Sequence, residues 1–304
     1  MSSKKILITG SSGLLGFNLS YKLHQKKHET IIGQYFLSPN RPQFIETTML
    51  DLTDLEATKK AIQRYRPDVI INCAAMTNVD RCEEDPKTCF SANSNTCENL
   101  VTALQGKSCK LIHISTDQLW DGTKSFLTEM APPDPINIYG QAKLEGENHI
   151  KKHKNHLILR TNFFGGDLPW RSSFTGWLKD NFENNVSFDA FNDIYFTPIA
   201  LPILLNIIID AIAHDLSGMF HLGGKERLSK YEFALQYAHL MNYNANLITK
   251  NSSDIYKTRA KRPKDMSLDS TKIEAALGIE LPAIKESLLS IASYEASLNT
   301  LEIF

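Results

Sequence analysis

The sequence predicts a doubly wound parallel α/β sheet that carries a smaller C-terminal lobe. Short apolar runs alternate with amphipathic segments through the first half of the chain, a pattern typical of parallel strands covered by helices. Beyond residue 160 the pattern changes, and aromatic and polar residues mix without a clear period. The 304 residues, 42% of them hydrophobic, suffice for one full core with a lobe attached.

Strands and helices alternate along residues 1–160. Strands are predicted over short apolar segments: Lys5–Thr9, Thr30–Gly33, a short strand that ends at Met49-Leu50, Val69–Ala74, Lys110–Ser115 and His156–Arg160. Helices are predicted between them, over Gly13–Gln25, Asp54–Tyr65, Pro86–Leu104 and Asn137–Lys152. We therefore expect residues 1–160 to form one domain.

Residues 161–304 are expected to form mainly the smaller lobe. Residues 162–185 show no period and are predicted to be irregular. Leu201–His214 predicts a buried helix and Gly218–Leu222 one more strand, so a strand and a helix near 186–222 are expected to return to the first domain. Further helices are predicted over Ser229–Asn242 and Ser270–Leu277.

Composition and charge exclude several classes of function. The 33 basic residues balance 34 acidic ones, so no general field attracts nucleic acid or a membrane surface. The longest apolar stretch, residues 201–213, is shorter than the ~20 residues of a membrane-spanning helix. Five cysteines without a CxxC pair favour reduced thiols, and the N-terminus has no signal-type apolar region. We expect a cytoplasmic protein that binds neither nucleic acid nor membrane.

Three glycines follow the first predicted strand, at positions 10, 13 and 16. Their spacing lets the chain turn tightly and approach a pyrophosphate, and the following helix points its free N–H groups at the phosphates. The predicted contact residues are Gly10, Ser12, Gly13, Leu14 and Leu15. A plain strand–helix turn is the alternative, but the position after an N-terminal strand favours a Rossmann dinucleotide-binding domain.

Tyr139 and Lys143 stand four residues apart, on one face of a predicted helix. A free tyrosine has a pKa of ~10, and a neighbouring ammonium lowers that pKa, so the pair predicts a general acid that works near neutrality. Thr116 follows the fifth strand, at the edge where doubly wound sheets bind ligands. The three residues together favour catalysis over the alternative, a surface pair on a helix.

Four segments resemble the dTDP-4-dehydrorhamnose reductases, the RmlD-like family of extended short-chain dehydrogenases, which share the GxxGxxG spacing. Residues 115–122, S-T-D-Q-L-W-D-G, resemble the family's S-T-D-Y-V-F-D-G, and residues 139–147 are similar to its Y-G-x-T-K-L-x-G-E. Residues 77–83 resemble T-x-V-D-x-x-E, and residues 262–269 resemble R-P-x-x-S-x-L-D. The likeness runs in order over almost the whole chain.

The resemblance implies an NAD(P)H-dependent reductase that acts on a nucleotide-activated 4-keto-6-deoxy sugar. In the family's arrangement, Thr116 hydrogen-bonds the substrate carbonyl oxygen, Tyr139 protonates it, and Lys143 tunes Tyr139 and holds the nicotinamide ribose. The related sugar 4,6-dehydratases follow this threonine with Asp-Glu. This chain has Asp117-Gln118 there, and because an amide cannot remove a proton from carbon, dehydration is disfavoured.

The resemblance also implies the other cofactor contacts, which are Asp51, Leu52, Cys73, Ala74, Ala75, Thr77 and Ser115, beside Tyr139 and Lys143. A helix-leading acid is the alternative for Asp51, and a buried strand end is the alternative for the segment after the fourth strand. NADP is favoured because the second strand ends in G-Q-Y-F, without the acid that usually holds the ribose of NAD. Ser11, Ser12 and Arg41 are expected to tolerate a 2′-phosphate; NAD is the alternative.

The candidates for the substrate side are Asp117, Gln118, Asn162, Phe163, Arg171 and Arg262. Gln118 stands where the family has an aromatic residue, and Phe163 stands where the family often has tryptophan, so the identity of the sugar stays open. Packing roles are the alternative for four of these residues: Gln118, Asn162, Phe163 and Arg171. Arg262 suits a diphosphate, with a structural ion pair as its alternative. No metal site is predicted, because the histidines at 149, 153 and 156 lie among lysines at a helix end.

Two other functions stay open at this point. The regulatory beta subunit of methionine adenosyltransferase is similar over the same motifs and binds NADP as a non-catalytic partner. A nucleotide-sugar epimerase would retain its cofactor without net consumption. The complete set of hydroxyl, tyrosine and lysine favours the reductase, for which the family suggests a homodimer.

Overall fold

The computed structural model describes residues 4–26, 29–255 and 260–299. Its strands are β1 (Lys5–Thr9), β2 (Thr30–Tyr35), β3 (Glu46–Met49), β4 (Val69–Asn72), β5 (Lys110–Thr116), β6 (His156–Thr161), β7 (Phe163–Phe164), β8 (Phe188–Phe191), β9 (Tyr195–Phe196), β10 (Ile199–Ala200), β11 (Gly218–Leu222), β12 (Leu228–Ser229) and β13 (Ile248–Asn251). Its α-helices are α1 (Leu14–Gln25), α2 (Leu55–Tyr65), α3 (Val79–Glu84), α4 (Pro86–Phe90), α5 (Thr96–Ala103), α6 (Ile138–Ile150), α7 (Phe174–Glu183), α8 (Leu201–Ala213), α9 (Lys230–Leu240), α10 (Thr271–Leu277) and α11 (Ile284–Asn299).

Within these residues, seven strands form the central sheet in the order β11-β6-β5-β4-β1-β2-β3, and every neighbouring pair is parallel. β1 and β4 are neighbours, and the chain winds outward from them in opposite directions. The topological switch point therefore lies between these two strands, where open α/β sheets bind ligands at their carboxyl ends. The predicted doubly wound α/β fold is confirmed.

The side chains of β1 supply both faces of the sheet. Ile6 and Ile8 pack in one buried cluster with α1 and α8, and Leu7 packs in another with residues of α2 and α5. Successive side chains of a strand point to opposite faces, so a sheet covered on both sides needs continuous apolar runs. This requirement produces the short apolar runs from which the strands were predicted.

The segment 162–185 is not irregular throughout, because α7 occupies ten of its residues. The Ser173 hydroxyl accepts a hydrogen bond from the Gly176 N–H and caps the helix. The buried positions of α7 include a threonine and a glycine, so the apolar period that predicts a helix is weak. The expectation of an irregular segment is wrong for α7.

The predicted helix over residues 86–104 is interrupted by a π-helical turn at Ser91–Asn95, which separates α4 from α5. Inside this turn the Asn93 side chain accepts from the Met76 N–H at 3.1 Å and donates to the Met76 carbonyl at 3.0 Å. The turn thereby holds the segment that follows β4. Such π-turns inside helices frequently occur near functional sites.

Outside the central sheet, the described residues form three short strand pairs, β10 with β7, β12 with β9 and β13 with β8, together with α9 and α10. A capping box, in which Ser229 and Glu232 bond each other's backbone N–H groups, starts α9. α11, which the sequence did not predict, packs against α8 and buries Leu288 and Ile291. In the described parts of the chain, no helix combines the length and the apolar composition that a membrane span requires.

A buried ion pair ties α6 to the centre of the sheet. The Glu147 carboxylate accepts from Arg160 Nε at 2.8 Å and Nη2 at 2.7 Å, and from the Ser115 hydroxyl at 2.7 Å. Arg160 is 1% exposed and Glu147 is 0% exposed. Burial alone would raise the pKa of Glu147, but Arg160, together with Ser115 and Lys151, outweighs burial, and the pKa is lowered. Helix α6 is thus fixed to β5 and β6 by three hydrogen bonds to one carboxylate.

Replacing Glu147 by leucine should be strongly destabilising, because it leaves the Arg160 guanidinium buried without its partner. We expect a loss of about 3–5 kcal/mol in the free energy of unfolding, measured by urea denaturation. Glu56→Gln, which removes one partner of an exposed ion pair on α2, is the control and should change that free energy by less than about 0.5 kcal/mol. Equal losses in the two variants would contradict the anchoring role of Glu147.

Candidate active site

The loop between β5 and α6 brings Thr116 and Tyr139 to one place. Thr116 ends β5, and Asn137 caps α6 by accepting a hydrogen bond from the Gly140 N–H at 2.7 Å. The Asn137 side chain also donates to Gln118 Oε1 at 3.2 Å, so a residue just after β5 holds the start of the helix. Gln118, predicted on the substrate side, therefore has a positioning contact here.

Gly140 allows α6 to approach the segment directly after β5 closely. A Cβ at this position would lie 2.3 Å from the Gln118 carbonyl oxygen, a contact that no side chain can make. The close approach buries Tyr139 and sets its phenol near Thr116. Burial raises the pKa of Tyr139, and a side-chain hydrogen bond with Thr116 partly opposes this. The expected lowering of the Tyr139 pKa is therefore wrong in this structure, and the phenol is held in its protonated form.

Lys143 lies fully buried one helical turn beyond Tyr139. Its Nζ donates to the Ile114 carbonyl at 2.7 Å and lies 3.1 Å from His113 Nε2. Burial lowers the pKa of the ammonium. Both contacts belong to β5, so the strand that carries Thr116 also positions the lysine.

The glycine turn between β1 and α1 has the geometry of an anion site. Gly10 has φ +64°, and a Cβ on it would lie 2.9 Å from the Ala74 Cα. α1 begins after Gly13 without a side-chain cap, which leaves the N–H groups of Leu14 and Leu15 in its first turn for a ligand. These uncapped donors beside a narrow cradle fit the pyrophosphate of a dinucleotide.

Gln34, which the sequence did not single out, anchors this turn. Its Oε1 accepts from the Gly10 N–H at 2.9 Å, and its Nε2 donates to the Leu50 carbonyl at 2.6 Å. The Ser11 hydroxyl is also used internally, since it donates to the Gln34 carbonyl at 2.9 Å. Of the groups expected near a 2′-phosphate, Ser12 and Arg41 remain, and Arg41 Nη1 donates to the Tyr35 hydroxyl at 2.9 Å.

The predicted cofactor residues after β3 and β4 lie on either side of the glycine turn. Asp51 Oδ1 accepts from the Thr53 N–H at 2.9 Å, and the Ala74 N–H donates to the Thr9 hydroxyl at 3.3 Å. Burial raises the pKa of the Cys73 thiol to about 12, so Cys73 is an unreactive lining residue. Cys73, Ala74, Ala75 and Thr77 form one segment along the cleft.

Two residues of the segment after β7 complete the cleft from the opposite side. Arg171 Nη2 donates to the Thr77 hydroxyl at 3.4 Å, and Trp170 Nε1 donates to the Ser12 carbonyl at 3.1 Å. Arg171 therefore connects the segment after β7 with the segment after β4. Its guanidinium is exposed enough to meet an anion that enters there.

Asp117 and Lys230 face each other on the substrate side of Thr116. The buried Asp117 carboxylate accepts from Asn162 Nδ2 and, at 3.3 Å, from the Thr116 hydroxyl. Lys230 Nζ lies 3.2 Å from the centre of the Phe196 ring and 4.6 Å from that of Phe174. Burial raises the pKa of Asp117 and lowers that of Lys230, and the attraction between the two charges opposes both shifts.

Sequence reasoning missed Lys230, because it follows the helix cap Ser229 without any local motif.

Of the predicted substrate residues, Asn162 lies beside Asp117, whereas Phe163 belongs to β7 and packs against the core. Arg262 forms a bidentate ion pair with Asp80, at 2.7 Å and 3.1 Å, which is the structural alternative for this residue. Among the described residues, no group of three or more His, Cys, Asp or Glu side chains is arranged to hold a metal.

Comparisons with known proteins identify the family. A model described as the RmlD substrate binding domain matches residues 4–296. The chain belongs to this family. It is similar to the crystal structure of dTDP-4-dehydrorhamnose reductase from Bacillus anthracis str. Ames in complex with NADP, with a TM-score of 0.87, 25% identity, and 96% of this chain and 99% of that chain covered. The predicted resemblance is confirmed.

Two relatives match nearly as much of the sequence. The probable low-salt glycan biosynthesis reductase Agl14 of Haloferax volcanii is 28% identical, over 93% of this chain and 96% of that protein. Methionine adenosyltransferase 2 subunit beta of Rattus norvegicus is 30% identical, over 94% of this chain and 87% of that protein. The RmlD family fold is thus shared by proteins named as reductases and by a protein named as a subunit.

Replacing Gln34 by leucine removes the buried partners of the Gly10 N–H and the Leu50 carbonyl. We expect about 1–3 kcal/mol less free energy of unfolding, and NADPH binding about tenfold weaker because the turn loses its anchor. Urea unfolding and calorimetric titration with NADPH measure the two effects. Gln63→Leu, at an exposed position of α2, is the control; if it weakens NADPH binding as much, the anchoring role is refuted.

Proposed function

We propose that this protein reduces the 4-keto group of a nucleotide-activated 6-deoxy sugar with NADPH. The observation that carries the proposal is the contact between the Thr116 hydroxyl and the Tyr139 phenol at the carboxyl end of β5, with Lys143 bonded to Ile114 of the same strand. The names of the B. anthracis and H. volcanii relatives, both reductases, support the same reaction class.

The side chains at the end of β5 supply the proton chemistry of this reduction. Bound NADPH supplies the hydride that adds to the carbonyl carbon. The carbonyl oxygen accepts a hydrogen bond from the Thr116 hydroxyl and takes its proton from the Tyr139 phenol. A phenol whose pKa burial has raised is protonated at neutral pH, which is the form that a donor requires. Lys143 would hold the nicotinamide ribose of the bound cofactor.

The substrate side offers polar groups of both signs. Asp117 and Asn162 are bonded to each other next to Thr116, where they reach the hydroxyl groups of a sugar placed for reaction at Tyr139. Lys230 adds a positive charge opposite Asp117. Arg171, at the outer part of the cleft, is the group we assign to the diphosphate.

NADP rather than NAD is part of the proposal. The neighbour from B. anthracis was crystallised with NADP. In this chain β2 ends at Tyr35 without an acid, and Arg41 stacks on that tyrosine with its guanidinium carbon 5.1 Å from the ring centre. An arginine at this place suits a 2′-phosphate. The homodimer and the cytoplasmic location stay predictions.

A regulatory role is the second candidate, and the 30% identity to methionine adenosyltransferase 2 subunit beta favours it. One experiment separates the candidates: the purified protein is mixed with NADPH and a panel of nucleotide-linked 4-keto-6-deoxy sugars, and absorbance is followed. NADPH oxidation that depends on the sugar supports the reductase. NADPH binding without turnover on any sugar supports the regulatory role, and conversion without net oxidation indicates an epimerase.

Tyr139→Phe should abolish most of the turnover and leave NADPH binding within about twofold of wild type. The phenol is the proton donor, and its removal should lower kcat by about 10³-fold, in the range of general acid catalysis. Stopped-flow absorbance gives kcat, and fluorescence titration gives NADPH affinity. Tyr65→Phe, at a buried tyrosine on α2, is the matched control. A Tyr139→Phe variant with near-normal kcat would refute the assignment.

Lys230→Met should move the acid limb of the kcat/KM profile upward by about one pH unit, since a nearby cation favours the ionised carboxylate. Removing the ammonium raises the pKa of Asp117, so its ionised form, which accepts from Asn162 and Thr116, is lost at higher pH. Lys230→Arg keeps the charge and should keep the wild-type profile. Superimposable profiles for the methionine variant and wild type would show that Lys230 does not act on Asp117.

A further inference from the structure

A histidine lies directly beneath the catalytic lysine, inside β5. His113 is 1% exposed, and its Nε2 is 3.1 Å from Lys143 Nζ. Its other ring nitrogen, Nδ1, is 3.1 Å from Nδ2 of Asn72, the last residue of β4. The proposed reaction uses neither His113 nor Asn72. Two fully buried polar side chains beneath a catalytic group therefore need a separate explanation.

Lys143 requires acceptors because its ammonium is buried. It makes no ion pair with any side chain in the described ranges, and the groups that act on it electrostatically are Cys97, Glu147, Cys73 and Cys89. Burial raises the pKa of Cys97 to about 11, so that thiol is neutral, and the Glu147 carboxylate is engaged by Arg160. The Ile114 carbonyl and the His113 ring are thus the acceptors that compensate the lost hydration of the ammonium.

The donors of the ammonium decide the tautomer of His113. Burial, followed by the charge of Lys143, lowers the pKa of His113 far below its ordinary value, so the ring is neutral. An ammonium has donors only, so Nε2 must accept and the ring proton sits on Nδ1. In the structure, Asn72 Oδ1 accepts from the Thr9 hydroxyl and Nδ2 lies against Nδ1 of the ring. A 180° turn of the Asn72 amide gives the Nδ1 proton an oxygen acceptor and makes Nδ2 the donor to the Thr9 hydroxyl oxygen.

Beyond Asn72 the contacts lead into the core and not to solvent. The Asn72 amide bonds the Thr9 hydroxyl at 2.6 Å, and the Thr9 oxygen accepts from the Ala74 N–H at 3.3 Å. Thr9 and Asn72 are both 0% exposed. A chain that ends in the protein interior cannot deliver protons from water. This chain of hydrogen bonds can fix the orientation of the His113 ring relative to the ends of β1 and β4.

We propose that His113 is a positioning residue for the reduction, whose neutral ring accepts a hydrogen bond from Lys143 and aims the remaining N–H of the ammonium at the nicotinamide ribose. The inference rests on the proposed function for its kinetic readout. Hydrogen bonds through Asn72 and Thr9 connect the ring to the ends of β4 and β1. The orientation of the lysine is in this way linked to the strands that carry the cofactor turn.

Two conservative substitutions of His113 distinguish a positioning role of its ring from a packing role. Glutamine places its amide near the position of Nε2, where it can accept from Lys143, whereas asparagine reaches only the position of Nδ1 and keeps the inner contact with Asn72. We expect His113→Gln to retain kcat within about fivefold and His113→Asn to lower it about 30-fold, with the KM for the sugar changed less than about threefold. Equal kcat values in the two variants would overturn the proposal.

The pH profile supplies a readout that a packing role would not change. Without the acceptor, the charged form of Lys143 is less favoured and its pKa falls, so the alkaline limb of kcat should move to lower pH in His113→Asn. The same limb should stay near its wild-type position in His113→Gln. Thermal melting of both variants serves as the control for folding. Profiles that shift together, in proportion to the loss of melting temperature, would show a structural role only.

The wild-type protein tests the contact without any variant and without turnover. In ¹⁵N spectra of histidine-labelled protein with saturating NADPH, His113 should remain neutral well below the ordinary histidine pKa, with its proton on Nδ1. A proton on Nε2, or titration near the ordinary histidine pKa, would overturn the proposal even if the variants fail to fold. If no sugar is turned over but the Nδ1 tautomer is found, the proposed function fails while the contact stands.

Discussion

The burial of α6 against the carboxyl half of β5 is the constraint on which the site depends. The Glu147 carboxylate, held by Arg160 and Ser115, fixes one end of the contact, and the close approach at Gly140 fixes the other. Between these points Tyr139 and Lys143 are removed from water. Burial therefore has the largest effect on their pKa values, and the polar contacts with β5 have smaller effects.

Local sequence patterns predicted the parts of the molecule that local physics determines. A sheet covered on both faces requires apolar runs such as Ile6–Ile8, and a phosphate turn requires glycine at position 10, where φ is positive. The spacing of Tyr139 and Lys143 follows from the geometry of one helical turn. Each of these signals lies within about ten residues, so a single sequence suffices to find it.

The features that the sequence did not reveal depend on partners far apart in the chain. Gln34 acts on Gly10 from β2, and His113 acts on Lys143 across 30 positions. Lys230 lies at the start of α9 and acts electrostatically on Asp117. None of these residues carries a motif, because a glutamine, a histidine or a lysine has no local role that its neighbours reveal. The direction of the Tyr139 pKa was missed for the same reason, since a sequence does not state how deeply a phenol is buried.

The two sides of the cleft differ in whether backbone groups or side chains line them. The proposed cofactor side presents backbone N–H groups and small residues, which any member of a family can keep while its side chains change. On the substrate side the contacts are side chains: Asp117 with Asn162, and Lys230 between two aromatic rings. A desolvated acid and a desolvated base that face each other favour a ligand with hydroxyl groups, which can donate to one and accept from the other. Under the proposed function, we therefore expect the choice of sugar to depend on this pair, and the choice of reaction to depend on the contacts of α6 with β5.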